Sequence, residues 1–165
     1  MSSGIVRRLF ISGLLAVVAP VPALAATAST TIDIRVTITA ECKIVSGVAL
    51  EFGSHGVLDS VADGTGSFNL VCTNGTPYDI GLGFGTSAQG SLTARYLTAG
   101  TATVSYNLYK DAAHSVLWGT VSPSDTVTGT GTGAEQVYSI YGRVPVQTTP
   151  AAGVYNDTVA ITVTY

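Results

Sequence analysis

The sequence predicts an all-β protein, an antiparallel sandwich or barrel built from short strands. Only 10% of its 165 residues are charged, whereas an ordinary soluble domain carries about 25%. This scarcity argues against a coiled coil or a solvated disordered chain, both of which are rich in charge. Thr, Gly and Val are abundant, a mixture that suits strands and turns. Short apolar or alternating runs are separated by Gly- and Pro-containing turns, and no run has a helical period.

The N-terminal 25 residues have the layout of a secretory signal peptide. Arg7 and Arg8 precede an apolar run over 9–18, and Ala23 and Ala25 have the A-x-A spacing of a cleavage site. The apolar run is shorter than the roughly 20 residues that a membrane-spanning helix needs. We therefore expect residues 1–25 to be removed and the mature chain to be secreted without membrane insertion. A retained membrane anchor is the alternative interpretation.

Strand patterns follow one another along the mature chain. The first, over 31–39, alternates strictly, with four apolar side chains on one face and polar side chains on the other. Further strands are predicted at 43–52, 66–73, 78–84, 91–97, 103–110, 115–120, 136–147 and 155–165. Turn residues separate these runs. The alternation of Thr and Gly over 128–133 predicts a mobile hairpin loop.

The two cysteines, Cys42 and Cys72, predict one disulfide bond. An even number of cysteines in an exported protein indicates structural pairing. Cys42 begins one predicted strand and Cys72 ends another, so an antiparallel pairing of those strands would bring the two together. A metal site would need more ligands, and neither histidine lies at a ligand spacing from a cysteine.

The chain contains no convincing catalytic, cofactor or metal motif. The G-x-G-x-x-A string at 83–88 lacks the helix that a dinucleotide site requires. His55 and His114 fall in predicted turns, where we expect them to be solvated. The formal net charge of −3 leaves no basic surface for nucleic acid. We expect neither an enzyme nor a cofactor.

The strand pattern ahead of Cys42 has two interpretations. Residues 37–44 contain no Gly, Pro, Asn or Asp, so no turn back onto the domain is indicated. Four buried apolar side chains would be worth roughly 6–12 kcal/mol before the entropy cost, and an exposed strand promotes aggregation. The strand therefore needs a groove. It either pairs within its own domain as an ordinary first strand, or it enters another copy by β-strand addition.

Several short blocks stand out between residue 40 and the C-terminus. They include Leu50-Glu-Phe-Gly53, Gly75-Thr-Pro-Tyr78, Tyr106-Asn-Leu-Tyr-Lys-Asp-Ala-Ala113, Tyr141-Gly-Arg-Val-Pro145 and Ala152-Gly-Val-Tyr-Asn-Asp157. In this order they resemble the spore coat protein U family, which includes pilins of archaic chaperone–usher pili. The resemblance covers nearly the whole mature chain.

This resemblance implies an immunoglobulin-like β-sandwich that lacks its last strand and is completed by a donor strand from another molecule. It implies three segments: a signal peptide over 1–25, a donor extension over 26–41 and a pilin-like domain over 42–165. The expected donor side chains, which enter the neighbour's groove, are Ile32, Ile34, Val36 and Ile38. The expected groove wall is formed by Val159, Ile161, Val163 and Tyr165, and the disulfide would join the first strand to the second.

The function implied is that of a structural pilus subunit supporting surface attachment or biofilm formation. The implied partners are other copies or related pilins, a periplasmic chaperone and an outer-membrane usher. The chain would pass through the periplasm and end in a surface pilus. Two alternatives remain at this point: a spore or cyst coat protein, and a secreted carbohydrate-binding module with a complete sandwich.

Overall fold

The structure, a computed structural model, describes residues 24–165. The signal-peptide prediction lies outside the described residues except for Leu24 and Ala25. The chain divides into two units after Val36. In the first unit, the described residues 24–36 form neither helix nor strand. The second unit, Thr37–Tyr165, contains the β-structure described below.

The second unit confirms the all-β prediction, because its regular elements are strands and no helix occurs in residues 24–165. Accordingly, no helix in this part of the chain is long and apolar enough to span a bilayer. The strands are β1 (Cys42–Val48), β2 (Ala62–Cys72), β3 (Pro77–Leu82), β4 (Arg95–Ala99), β5 (Ala102–Tyr109), β6 (Val127–Thr130), β7 (Glu135–Val144) and β8 (Ile161–Thr164).

The strands form two antiparallel sheets. The larger sheet has the order β1-β2-β7-β5-β4, and the smaller has the order β6-β3-β8. The longest ladder joins β2 to β7, where pairing runs without interruption from Ala62 opposite Val144 to Val71 opposite Glu135. β1 and β8 are edge strands of different sheets, and this placement positions the site described below.

The core lies between the two sheets. Alternate residues of β2 point inward, with Phe68 and Leu70 almost completely buried, and Ile80 and Leu82 of β3 face them from the other sheet. Trp118, the single tryptophan, is buried among these side chains, and its indole N–H donates to the Ile80 carbonyl at 2.9 Å. The indole therefore links the irregular segment after β5 to the smaller sheet.

A buried arginine also joins the sheets. Arg95, the first residue of β4, is fully buried and donates to the carbonyls of Leu82, Gly83 and Trp118 at 2.6 to 3.1 Å. Its guanidinium also stacks over the Phe84 ring. Desolvation lowers the pKa of Arg95 from its ordinary value. The Leu82 and Gly83 carbonyls lie where the chain leaves β3, and the Trp118 carbonyl lies in the irregular segment after β5, so Arg95 links these two stretches of backbone.

Two local predictions were wrong, and the strand predicted over 31–39 stays a prediction for its pairing with another copy. Within the single chain, residues 31–39 form no strand, because alternation selects a face but supplies no hydrogen-bonding partner. Residues 115–120 make only one isolated bridge, between Leu117 and Tyr109, before Gly119 turns toward β3. Part of the predicted loop at 128–133 belongs to β6, which pairs with β3; at Gly129 a Cβ would collide with the Tyr78 ring.

The prediction that His114 is a solvated turn histidine was also wrong. Its side chain is only 7% exposed and packs edge-on against Tyr109 and Tyr141. The residue has a positive φ of 55°, which turns its ring back onto the sheet. Nε2 lies 3.7 Å from the carboxylate of Asp63, which also forms a bidentate pair with Arg143. His55 is exposed, as expected, and contacts the Phe52 carbonyl.

Candidate functional site: an open groove between the edge strands

An apolar groove of about 540 Å³ opens between β1 and the segment that leads into β8. Among the described strands, β1 pairs only with β2 and β8 pairs only with β3. Each wall of the groove therefore has one strand edge whose N–H and C=O groups have no ladder partner. Such a pair of edges can accept one additional strand.

The floor of the groove is the hydrophobic core itself. Phe68, Leu82, Tyr106 and Leu108 lie at its base, and they come from both sheets. The groove therefore reaches down to the buried core on this side of the domain. A segment that brings apolar side chains into the groove would extend the core.

The β1 wall of the groove contains a β-bulge. Ile44 pairs with Leu70, but the next paired residue is Ser46, so Val45 is an extra residue at a bulge. The bulge shifts the inward-facing positions of β1, and Gly47 comes to lie opposite Phe68. An apolar side chain there would occupy part of the groove, whereas glycine leaves it open.

The β1 side chains along the groove are unusually exposed for apolar residues. Ile44 and Val45 are 45% and 47% exposed, and Val48 is 68% exposed. Leu50 and Phe52, which follow β1, are partly buried and pack against the core. Apolar exposure on an edge strand favours pairing with another strand.

The opposite wall contains two of the four residues predicted for it. Val159 and Ile161 line the groove and pack against the core. Val163 is also partly buried against the core, but it is not among the residues that line the groove. Tyr165 is 59% exposed. The C-terminal wall thus begins before β8, in the irregular residues 157–160.

A polar cluster lies at one end of the groove and was not predicted from the sequence. Asp157 accepts hydrogen bonds from the Tyr106 hydroxyl at 2.7 Å, from both the N–H and the hydroxyl of Thr86 at 2.8 Å, and from the Thr158 N–H at 2.8 Å. The φ of Gly85 is +86°, and a Cβ there would collide with the Asp157 carboxylate. The sequence did not single out Asp157, since Thr86 and Tyr106 are far from it in the chain.

Burial and hydrogen bonding act in opposite directions on the Asp157 carboxylate. Desolvation alone would raise its pKa, but the hydrogen bonds from Thr86, Tyr106 and Thr158 outweigh it, so the pKa of Asp157 is lowered. The pKa of the Tyr106 hydroxyl is raised, first by burial and then by its bond to Asp157. The cluster is therefore an ionised aspartate with protonated donors, and it fixes the segment that enters the groove wall.

A second cavity, of about 910 Å³, adjoins the groove. It lies between residues 49–58 and residues 149–157, and it shares Leu50, Phe52, Leu97 and Asp157 with the groove. Its lining is more polar and includes His55 and Tyr155.

The predicted disulfide is present. Cys42 and Cys72 are bonded, and they are direct partners in the β1–β2 ladder with Cα atoms 4.1 Å apart. The bond therefore ties the first residue of the groove wall to the last residue of β2. Because β1 is an edge strand with a partner on one side only, this link restrains it where the N-terminal extension begins.

The four predicted donor side chains are exposed. Ile32, Ile34 and Val36 are 79%, 89% and 81% exposed, and Ile38 is 73% exposed. In the described residues, no group of three or more His, Cys, Asp or Glu side chains is arranged to hold a metal ion. The groove and the exposed extension are therefore the two features on which a functional proposal can be based.

A family model described as the Spore Coat Protein U domain matches residues 28–162. The chain belongs to this family. It is also 34% identical over 159 residues to "Protein U" of Myxococcus xanthus, an alignment that covers 87% of this chain and 88% of that protein. The resemblance drawn from the sequence blocks is thereby confirmed.

Two solved structures have a similar fold. One is the CsuC–CsuE chaperone–tip adhesion subunit pre-assembly complex from the archaic chaperone–usher Csu pili of Acinetobacter baumannii, with a TM-score of 0.57 and 22% identity. That match covers 78% of this chain but 40% of the other. The second is a chaperone–usher pilus described in connection with rod uncoiling, with a TM-score of 0.52 and 13% identity over 88% of this chain and 99% of that one. The family domain therefore has the fold of chaperone–usher pilus subunits.

Proposed function

We propose that this protein is a structural subunit of a chaperone–usher pilus, in which the N-terminal extension of one copy fills the groove of the next. The single observation that carries the proposal is the open apolar groove between two strand edges, β1 and β8, which lie in different sheets. In a complete sandwich another strand would cover the apolar side chains of β1, whereas Val48 is 68% exposed. The groove has the form of a site for one more strand.

The extension has the side chains that such a groove requires. Ile32, Ile34, Val36 and Ile38 alternate along one face, and in a strand this spacing directs all four to the same side. Burying each would contribute about 1.5–3 kcal/mol relative to its exposed state. Ladder hydrogen bonds to the free edges of β1 and β8 would reinforce this gain.

The geometry of this exchange produces a filament. The donor surface lies ahead of Cys42, and the acceptor surface lies between β1 and Ile161, so each copy uses a different surface toward each neighbour. Such a heterologous contact does not close on itself and repeats indefinitely. Such a filament would support surface attachment or biofilm formation.

The proposed partners follow from the same groove. Before assembly, subunits with an exposed groove of this kind would aggregate. A chaperone is therefore expected to cover the groove in the periplasm. An outer-membrane usher would then direct the exchange for the neighbour's extension. One of the two similar structures is a chaperone–subunit pre-assembly complex and the other is a pilus, which supports this order of events. The proposed role is structural, with no catalytic step and no cofactor.

A synthetic peptide of residues 28–41 tests the proposal. Added in excess to the refolding chain, it should occupy the groove, stop multimer growth and raise the melting temperature of the capped monomer, because a ligand that binds only the folded state stabilises it. A Thr37→Asp peptide is the matched control and should act similarly, while an Ile34→Asp peptide should not. Equal action of the two altered peptides would reject the proposed groove-facing side.

A chain that lacks residues 26–38 provides a second test. It keeps the groove and the disulfide but has no donor side chains. Co-expressed with a cognate chaperone, it is expected to occur as a single-subunit complex that forms no fibres. Fibres of unchanged length and yield would show that the extension is not the polymerising element.

Coat assembly is the second candidate, and the description of the matching family favours it. The same groove and extension would serve in a coat, so the two functions differ in the final structure and not in the contact. Electron microscopy of cells with a tagged chain distinguishes them: filaments extending from growing cells indicate a pilus, whereas a layer on resting cells indicates a coat.

A further inference from the structure

The three residues ahead of β1 are held in a defined path by Thr73, which directly follows β2. The Thr73 hydroxyl donates to the Thr39 carbonyl at 3.0 Å and accepts from the Glu41 N–H at 3.1 Å. The Thr73 N–H donates to the Glu41 carbonyl at 2.9 Å. These bonds continue the β1–β2 ladder beyond the Cys42–Cys72 pair.

This path has a consequence for insertion within one molecule. To lie beside β1 in its own groove, the extension would have to reverse direction between Ile38 and Cys42, as in a hairpin with a three-residue loop. Residues 39–41 would form that loop. They cannot do so while Thr39 and Glu41 remain bonded to Thr73, since those bonds keep the backbone in line with β1.

The sequence gives an independent reason to expect that the chain does not reverse direction at residues 39–41. Three-residue hairpin loops usually contain glycine or another residue that accepts a positive φ. Residues 37–44 contain no Gly, Asn, Asp or Pro. The reversal is therefore disfavoured by its own backbone, and the Thr73 hydroxyl adds to that cost.

We propose that Thr73 is a positioning residue that keeps the extension out of its own subunit's groove and so leaves it available to a second copy. The inference rests on the proposed function, because it concerns which groove the extension enters. It assigns a role to a side chain that is in neither the donor strand nor the groove wall. Thr73 acts only through the path of residues 39–41.

Trypsin cleavage after Arg35 measures the outcome directly. Arg35 is exposed and is the only Lys or Arg between residue 26 and Lys43. Cleavage there removes residues 26–35 and gives a mass change that is easy to detect. A free extension is expected to be cut quickly, whereas a strand inserted in a sheet is protected. The assay uses the mature chain, refolded at high dilution with its disulfide intact, and it scores the monomer fraction only.

Thr73→Val removes the hydroxyl with little change in shape and keeps the backbone bond to Glu41. The wild-type monomer should be cut at Arg35, and Thr73→Val should raise the protected monomer fraction about tenfold, as expected for the loss of one or two hydrogen bonds. Thr73→Ser, which restores the hydroxyl, should behave like the wild type. Thr93→Val, at an exposed threonine whose hydroxyl contacts only Ser91 at 3.4 Å, is the matched control and should also match the wild type.

A second variant keeps the inference testable if Thr73→Val folds poorly. Ala40→Asn/Glu41→Gly supplies a turn sequence and should also raise the protected fraction. Fluorescence of buried Trp118 reports folding in each case. Protection in this variant together with wild-type behaviour of folded Thr73→Val would overturn the role of Thr73. A wild-type monomer in which Arg35 is already protected from trypsin would also overturn the role of Thr73.

Different results would contradict the proposed function and the proposed role of Thr73. Protection of Arg35 is measured in monomers and needs no assembly, whereas the proposed function requires multimers to form as the concentration is raised. A wild-type chain that never multimerises contradicts the proposed function. A protected fraction that is the same in wild type, Thr73→Val and Thr93→Val contradicts the role of Thr73, whatever the chain assembles into.

Discussion

Gly47 of β1 lies directly opposite Phe68 of β2, so the inward position of the edge strand over the groove floor has no side chain. A Cβ at Gly47 would lie 3.8 Å from the Phe68 Cβ, an ordinary contact, and 3.5 Å from the nearest backbone oxygen. The position can therefore accept a side chain without strain. A long side chain there would extend into the groove and not into packed atoms.

Gly47→Leu is therefore expected to block the groove while the domain still folds. Binding of the 28–41 peptide should fall at least about tenfold, because the leucine occupies volume that the donor needs. Gly47→Ala is the matched control and should bind normally, with a gain of about 0.5 kcal/mol from the stiffer unfolded chain. Peptide titration by calorimetry measures both. Unchanged affinity in Gly47→Leu would mean that the donor does not pass over Phe68.

Ile34→Asp should weaken assembly far more than Thr37→Asp. Ile34 lies on the predicted groove-facing side, where a carboxylate would lose both the apolar gain and its hydration, whereas Thr37 lies on the opposite face. We expect a loss of about a hundredfold in multimer yield for Ile34→Asp and less than about threefold for Thr37→Asp. Light scattering during assembly measures the yields. Equal losses would reject the assigned face.

Asp157→Asn should lower the free energy of unfolding at neutral pH and make it less dependent on pH in the acidic range. The pKa of Asp157 is lowered in the folded state, so its contribution is present above the unfolded value of about 4 and is lost as the pH falls through the folded value. At neutral pH the variant should be about 1–3 kcal/mol less stable. Urea unfolding followed by Trp118 fluorescence should show this gap narrowing toward low pH.

A second aspartate with a lowered pKa, Asp63, does not affect the interpretation of that experiment. Its pKa is also lowered, chiefly by hydrogen bonding to Arg143, but it lies on the surface away from the hydrogen bonds of Asp157. The Asp63 contribution is common to wild type and Asp157→Asn, so it cancels in the difference between them. A gap that stays constant from neutral to acidic pH would show that ionised Asp157 does not stabilise the groove wall.

Replacing both cysteines by serine should cost stability without removing the groove. Cys42 and Cys72 are 30 residues apart, and closing a loop of that length stabilises a folded domain by about 3–4 kcal/mol on the chain-entropy model. Urea unfolding of the double variant measures the loss. Reduction of the wild-type protein should give the same change, and a loss below about 1 kcal/mol would show that β1 is held by its ladder alone.

The sequence predicted those features that depend on local pattern and chain order. The disulfide could be predicted because Cys42 and Cys72 stand at opposite ends of neighbouring strands, and Val159 and Ile161 could be placed on one face by their alternation. The Asp157 cluster could not, since its partners come from residues about 50 and 70 positions away in the chain. Only the folded backbone brings those groups together.

Two other features could not be fully predicted from the sequence, because both depend on how one strand pairs with another. Alternation over 31–39 predicts which side chains share a face, but a strand exists only where another strand supplies hydrogen bonds. The bulge at Val45 changes which β1 residues face inward, and the isolated Gly47 is its one sequence signal but does not fix its position. The opening over Phe68 was therefore visible only in the structure.

The most direct measurement of the central claim is disulfide trapping between the extension and the groove wall. Chains carrying Ile34→Cys together with Val159→Cys or Ile161→Cys are assembled, oxidised and run on a non-reducing gel, with Asp33→Cys replacing Ile34→Cys as the control. Filling of each groove by the neighbouring copy predicts a ladder of covalent multimers for at least one Ile34→Cys pair and none for the control. A cross-linked monomer, or no cross-link with either wall residue, would contradict it.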